Sequence, residues 1–493
     1  MIVKKENSFL MAYLEDSSNV KGGYADEVVI PENIDELCAF LKDANAKKMP
    51  VTISGGGTGT TGSRIPFGGA VISLERFNRI LAIDSDRKSA LVQSGVMVDD
   101  LKKACDEKKL FYTSHPTENT ASVGGTIATN ASGARSFKYG ATRRYVRTLK
   151  MVLANGEILE IRRNRSVLSR KDSRIILPGE SAITVPIPTY RMPEIKTSAG
   201  YYAKDGMDPI DLFIGQEGTL SVIVEMEIGL VDKPSKILSA FVFFETEEDA
   251  WRFACEARDI SRSGRSLIDA LSIEYFDHNS LRLLRARDRD VPEKFASAIF
   301  FEQEVRAGNR EEEVLDAWIE LILKYSPSLD NTWVAMNEKT AEKFSNLRHA
   351  IPESVNDIIR SRGFQKISTD IAVPDVANIE MMGFYSKTLK NGGLDYLVFG
   401  HIGENHVHVN ILPKNERENL RAKEMALELV RKGIALGGTV SAEHGIGKIK
   451  HKYLEEMYGK NGIIEMARIK KAFDPNCILG LDNIFPREVL YLA

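Results

Sequence analysis

The sequence predicts an α+β fold with more than one domain, on three observations. The chain has 493 residues, more than a single hydrophobic core usually supports. Residues 28–95 alternate strand-like and helix-like pieces. After Pro234 a second alternation of strands and helices begins, and strands with helices covering one face read as an α+β unit.

The elements follow in order. VVIP precedes a helix capped by Asn33, with Glu36 completing an N-x-x-E capping box and Ile34, Leu37, Cys38 and Leu41 at helical spacing. VTIS (51–54), AVISL (70–74) and ALVQSG (90–95) read as strands, and VDDLKKACDEK (98–108) as a helix. From 111 to 157 runs a tract rich in Gly, Ser, Thr and Asn, then KMVLANGEIL with an Asn-Gly turn. Small residues in such density let backbone approach a ligand. Beyond 233–236, the clearest boundary, KILSAFVFFE is a strand and 246–260 a helix capped by Thr246. Strand 296–305 follows, then helix 311–325 with Val314, Trp318, Leu321 and Tyr325 on one face, then TWVAM (332–336).

Composition excludes several classes. A net charge of -3, with 43% hydrophobic and 27% charged residues, gives no general attraction to nucleic acid or anionic membrane. No apolar run reaches the ~18–20 residues that span a bilayer, and the N-terminus lacks the apolar core of a signal peptide. A cytoplasmic protein without an integral membrane segment is expected. Cys38, Cys105, Cys255 and Cys477 are scattered, with no C-x-x-C, which argues against a disulfide framework or an iron–sulfur cluster. If the chain does redox chemistry, its electrons leave through a partner.

SGGGTGTTGSR (54–64) contains a literal G-x-G-x-x-G. In a dinucleotide fold the third glycine opens a helix that holds pyrophosphate. Here Ser-Arg-Ile-Pro66-Phe-Gly68-Gly69 follows Gly62, and proline and paired glycines oppose a helix. The motif fails its context test. Successive glycines still turn backbone N–H groups toward one point, a nest for phosphate, and the tract at 122–133 supplies an opposing wall.

TISGGGTGTTG, SVGGTIATNASGARSFKYGATRRYV, KTSAGY (196–201) and IGQEGTLSVIVEMEIGLV (214–231) resemble, in order, the FAD domain of the vanillyl-alcohol oxidase/p-cresol methylhydroxylase (PCMH) superfamily. FGHIGENHVHVNILP (399–413), SAEHGIG (441–447) and FDPNCILGLDNIF (473–485) resemble its D-lactate/glycolate/D-2-hydroxyglutarate dehydrogenase branch. The resemblance covers about residues 25–487. It implies an N-terminal segment (1–24), a PCMH-type FAD-binding domain of two α+β subdomains (25–233), an α+β cap or substrate domain (234–435), and a C-terminal segment (436–493) returning to the flavin.

By the same resemblance Ser54, Gly55, Gly56, Gly57, Thr58 and Gly59 hold the pyrophosphate. Ser122, Gly124, Gly125, Asn130 and Gly133 line the flavin, joined by Glu217, Ile223 and Asn483, although the closing motif reads Leu-Asp-Asn here. Thr58 stands where some members carry a flavin-linking histidine, so FAD is expected to be non-covalent. His115 reads as structural.

Five of eight histidines fall between 401 and 451, beside Glu443, a clustering that points to metal and acid–base chemistry. Strand parity alone nominates His406 with His408 as a metal pair. The family pattern instead nominates His401 and His408, with Glu443 third. Gly403-Glu-Asn interrupts the stretch, so the two readings are compatible. His406 replaces the family's asparagine and Glu404 its aspartate. Zinc is the default metal, with manganese or iron(II) the alternatives. The resemblance makes His444 the general base and Arg348 the carboxylate anchor, with Lys366 and His406 as further substrate contacts.

The implied reaction is oxidation of a D-2-hydroxy acid to the 2-oxo acid, with hydride passing to flavin N5. The electrons then go to an electron-transfer flavoprotein or an iron–sulfur subunit, through which peripheral membrane association would arise. A homodimer is compatible. The other function classes are a non-redox FAD transferase resembling alkylglycerone-phosphate synthase, and a regulatory subunit without catalysis.

Overall fold

A computed structural model describes residues 1–113, 116, 118–177, 181–305, 310–326, 329–330 and 332–493. His115 lies outside the described residues. Three sheets organise the chain.

The first sheet has the order Ile2–Lys4, Glu27–Ile30, Ala70–Ser73, Val51–Ser54. Its last three strands are parallel, so each return needs a crossover, and helix Ile34–Ala46 makes the first. That helix buries Leu37, Phe40, Leu41 and Ala44 against Val29, Val51 and Ile72. Asn33 caps it by accepting from the Glu36 N–H. The capping box differs from expectation: the Glu36 carboxylate accepts from the Glu32 N–H at 2.9 Å and pairs with the terminal amine at 2.6 Å. No helix lies between Ser54 and Ala70. Instead Arg64 folds back on the loop, donating to Ser54 Oγ and to the carbonyls of Ala12 and Glu15.

The second sheet is antiparallel, in the order Ile80–Asp84, Ser89–Gln93, Val222–Gly229, Val146–Val152, Ile158–Arg162. The small-residue tract is not all coil: Val123–Ala128 is a short helix capped by Ser122.

The third sheet has eight strands, antiparallel where paired. Its path is Trp333–Val334, Ile237–Phe244, Ser297–Glu304, Ala270–Asp277, Tyr396–Gly400, His406–Ile411, Ile367–Ser368, with Ile371–Ala372 also on His406–Ile411. Helices cover both of its faces, where the sequence reading placed them on one. Strand Ile237–Phe244 sends Leu238, Ala240, Val242 and Phe244 into one cluster with Phe253 and Trp318, and Phe241 and Phe243 into another with Leu347 and Ile351. A nearly continuous apolar run is the signature of a strand buried on both sides. Trp318 stacks on Phe301 with centroids 3.7 Å apart and donates its indole N–H to Gln303.

The C-terminal chain returns to the first sheet. Val51 N–H donates to Ile478 O at 2.7 Å and Gly480 N–H to Val51 O at 2.8 Å. Among the described residues no helix is long and apolar enough to cross a membrane.

Candidate active site

The site is built on the hairpin of strands Tyr396–Gly400 and His406–Ile411. His401 opens a single 3₁₀ turn, Ile402–Glu404, and Asn405 closes it in the left-handed region at φ 55°. That turn resets the side-chain parity, so His401, His406 and His408 converge. Their ring centroids lie 4.6–5.4 Å apart.

Glu443 meets them from the loop that follows Ser441. Its Oε1 lies 3.2 Å from His401 Nε2, 3.3 Å from His408 Nε2 and 3.7 Å from His444 Nε2. Its Oε2 accepts from Ser132 Oγ and Lys196 Nζ, both at 2.9 Å. Lys196 also pairs with Glu404 at 3.0 Å. Burial alone would raise the Glu443 carboxyl, but Lys196 and His401 outweigh it and hold it well below the usual range.

Asp370, fully buried, fixes the loop. It accepts from His406 Nε2 at 2.8 Å, Ser441 Oγ at 2.6 Å, the His444 N–H at 2.9 Å and Lys450 Nζ at 3.0 Å. Gly445 is left-handed at φ 74°, and a Cβ there would lie 2.8 Å from the Glu217 carboxylate. Glu217 in turn accepts from Ser63 Oγ and from the Ile446 and Gly447 N–H groups, each at 2.7 Å. One carboxylate thus ties the C-terminal loop to the glycine loop.

Burial would lower the pKa of His401; Glu274 and Glu443 overcome that and raise it to about 9. Burial, with Lys196 next, pushes His406 down to about 3. His444 is also pushed to about 3, by burial against the opposing pull of Asp370 and with help from His408 and Lys450. Lys366 falls to about 8 through burial and the neighbouring Lys450; its Nζ donates to Asn356 at 3.1 Å.

The two glycine-rich segments meet edge to edge. The Gly56 N–H donates to Ser122 Oγ, and a Cβ on Gly56 would lie 2.5 Å from Thr120 O. Between them and the histidine cluster runs one cavity of about 650 Å³, within the range of cofactor pockets.

The sequence profile described as an FAD binding domain matches residues 25–162, and that of the FAD linked oxidases, C-terminal domain, matches 233–481. The chain belongs to the FAD-linked oxidases. This FAD-linked oxidase is 28% identical over 489 residues to glycolate oxidase subunit GlcD of Bacillus subtilis (strain 168), covering 98% of this chain and 93% of that one. It is 29% identical to a D-lactate dehydrogenase of Anaerostipes hadrus (96% and 92% covered). To a D-2-hydroxyglutarate dehydrogenase of Stutzerimonas stutzeri (strain A1501) it is 26% identical (97% and 94% covered). p-Cresol methylhydroxylase with substrate bound shares the fold at TM-score 0.70 and 17% identity, with 98% and 94% of the chains covered. An alkyldihydroxyacetonephosphate synthase shares it at TM-score 0.65 and 17% identity, with 98% and 82% covered.

The residues present fit FAD. Gly55, Gly56, Gly57, Thr58 and Gly59 line the cavity on one side, Ser122, Gly124 and Gly125 on the other, with Glu217 and Ile223 between. Ser54, Asn130, Gly133 and Asn483 do not line it and brace its walls instead. Ser54 receives Arg64; Asn130 donates to Thr197 O; Gly133 O accepts from Ser136; Asn483 donates to Ser63 O and Glu217 O. The histidine cluster fits a divalent cation. Its donors are nitrogen and carboxylate oxygen, His401, His406, His408 and Glu443 each offer one ligand atom within 4.8 Å of the others, and Nδ1 of both His406 and His408 is buried without a hydrogen-bond partner.

Arg348, Lys366, His401, His408, Glu443 and His444 all reach the cavity; His406 is wholly buried behind it. Arg348 is not a bare anchor: its Nε and a terminal nitrogen each lie 3.0 Å from Glu274 Oε2. Glu274 also meets His401 Nδ1 at 2.6 Å. Sequence reading missed Glu274, although a carboxylate in the middle of the apolar strand ALSIEYFD is itself a signal. It also gave Lys196 no role, despite its place in KTSAGY.

Proposed function

We propose that this FAD-linked oxidase converts a D-2-hydroxy acid of the D-lactate, glycolate or D-2-hydroxyglutarate class into its 2-oxo acid. One observation carries the reading: Glu443 Oε1 faces His401 and His408 at 3.2 and 3.3 Å on the same cavity that the glycine cradle lines. The names of the relatives support the substrate class.

FAD, when bound, would supply a two-electron acceptor for the C2 hydrogen; His401, His408 and Glu443 would hold a divalent metal, whose chemistry there would be to acidify the substrate hydroxyl. Arg348 and Lys366 receive the carboxylate; Arg348 is partly engaged by Glu274, so Lys366 carries more of the uncompensated charge. His444 takes the hydroxyl proton. Being neutral in the unliganded site, it has a lone pair ready, and the substrate's carboxylate raises its proton affinity on arrival.

The electrons pass to a separate partner, an electron-transfer flavoprotein or an iron–sulfur subunit, because the four cysteines are unpaired thiols with no clustering. The reading keeps FAD non-covalent, the domain limits 25–233, 234–435 and 436–493, and a cytoplasmic location. The experiment is anaerobic mixing of the yellow protein with a panel of D- and L-2-hydroxy acids. Bleaching by one or more D-acids supports the reading. A flavin that stays oxidised with every acid, before and after added divalent metal, overturns it and favours the non-redox transferase.

A further inference from the structure

The cation site has one donor more than the His401/His408/Glu443 set uses. His406 is completely buried, at 0% exposure. Its Nε2 lies 2.8 Å from Asp370 Oδ1. Asp370 is paired with the Lys450 ammonium at 3.0 Å, and it also accepts from Ser441 Oγ and the His444 N–H. A carboxylate with that many donors can only accept, so Nε2 carries the proton and Nδ1 carries the lone pair. That Nδ1 has no hydrogen-bond partner. A lone pair buried without a donor costs free energy, unless a cation completes it.

The position of the ring says which cation. The His406 centroid lies 4.6 Å from that of His408 and 5.4 Å from that of His401. One ligand atom from each of these three and from Glu443 falls within 4.8 Å of the others. The carboxylate–histidine pair Asp370–His406 is the arrangement that orients a metal-ligating imidazole and raises its basicity.

We infer that His406 is a fourth protein ligand, through Nδ1, so that this chain holds its divalent cation with three imidazoles and one carboxylate. The inference rests on the metal reading of the cluster above. It departs from the two-histidine set that the resemblance supplied, in which this position is asparagine. Three nitrogens and one carboxylate still leave room for two substrate oxygens in a six-coordinate cation. A nitrogen-rich set shifts preference along the first-row series toward nickel and copper, away from manganese.

The test uses purified flavin-loaded protein, stripped with chelator and titrated with Cu(II) as a spectroscopic probe and with Co(II) for affinity. Nitrogen superhyperfine structure in the Cu(II) electron paramagnetic resonance spectrum is expected to report three imidazoles in the native protein and two in His406→Asn. Co(II) affinity is expected to fall roughly tenfold or more, as loss of an even more remote orienting partner does, with flavin content unchanged. His406→Gln is the second variant, in case asparagine disturbs folding. Two imidazoles in the native spectrum, or a Co(II) affinity unchanged in a folded variant, overturns the inference. A native protein that bleaches with hydroxy acids yet binds neither cation overturns it while leaving the proposed oxidation standing.

Discussion

Lys196 Nζ lies 2.9 Å from Glu443 Oε2, the oxygen turned away from the imidazoles, and both side chains are buried. The same ammonium holds Glu404 at 3.0 Å. Removing it leaves Glu404 without its ion-pair partner and Glu443 with its histidine partners alone, and breaking a buried pair in this way typically costs about 3–5 kcal/mol. Lys196→Met is therefore expected to lower the thermal midpoint of metal-stripped protein sharply. Added divalent cation should restore more of the midpoint in the variant than it adds to the native protein. Equal metal-induced shifts in a thermal melt would refute this role.

Gly56 presses against Thr120 O where no side chain fits. Gly56→Ala overpacks that contact by about 1–3 kcal/mol at the meeting of the two FAD walls. The flavin absorbance per chain should fall, while the far-ultraviolet circular dichroism is retained. Normal flavin content would show that this approach does not shape the cradle.

Glu274 orients His401 from Nδ1 at 2.6 Å. Glu274→Gln should weaken divalent-metal affinity by roughly 10–100-fold, measured by competition with a coloured chelator. Because Arg348 loses its ion pair as well, KM for the hydroxy acid should change too. Unaltered metal affinity would leave Glu274 as a partner of Arg348 alone.

Lys366 titrates near 8, so it is charged below that pH and neutral above it. If its charge receives the substrate carboxylate, kcat/KM should fall about tenfold per unit as pH rises beyond 8. Lys366→Met should lower kcat/KM below pH 8 and flatten that limb. A limb that survives in the variant belongs to another group.

Much of the fold was legible because its signals are local. Asn33 and Thr246 announce the helices they cap, and Pro66 with Gly68-Gly69 predicts the missing helix after Gly62. The convergence of His401 with His408 needed the turn at 402–405, which Gly403-Glu-Asn signalled without fixing. What stayed illegible is long-range. Lys196 reaches Glu443 across 247 positions and His401 reaches Glu274 across 127, and neither pairing leaves a periodic trace. The helices on both faces of the third sheet were hidden for a related reason: the apolar run in Ile237–Phe244 records burial, whereas its covering helix Glu338–Arg362 comes about a hundred residues later.

The most direct test of the central claim is stopped-flow anaerobic reduction of native protein and His444→Ala by the same D-2-hydroxy acid, followed at the flavin absorbance. Rapid bleaching of the native protein is expected. In the variant the rate should fall at least about 100-fold, the usual share of a general base, with FAD fully retained. Bleaching of His444→Ala at the native rate would contradict the base assignment, and failure of the native protein to bleach with any member of the panel would contradict the oxidation itself.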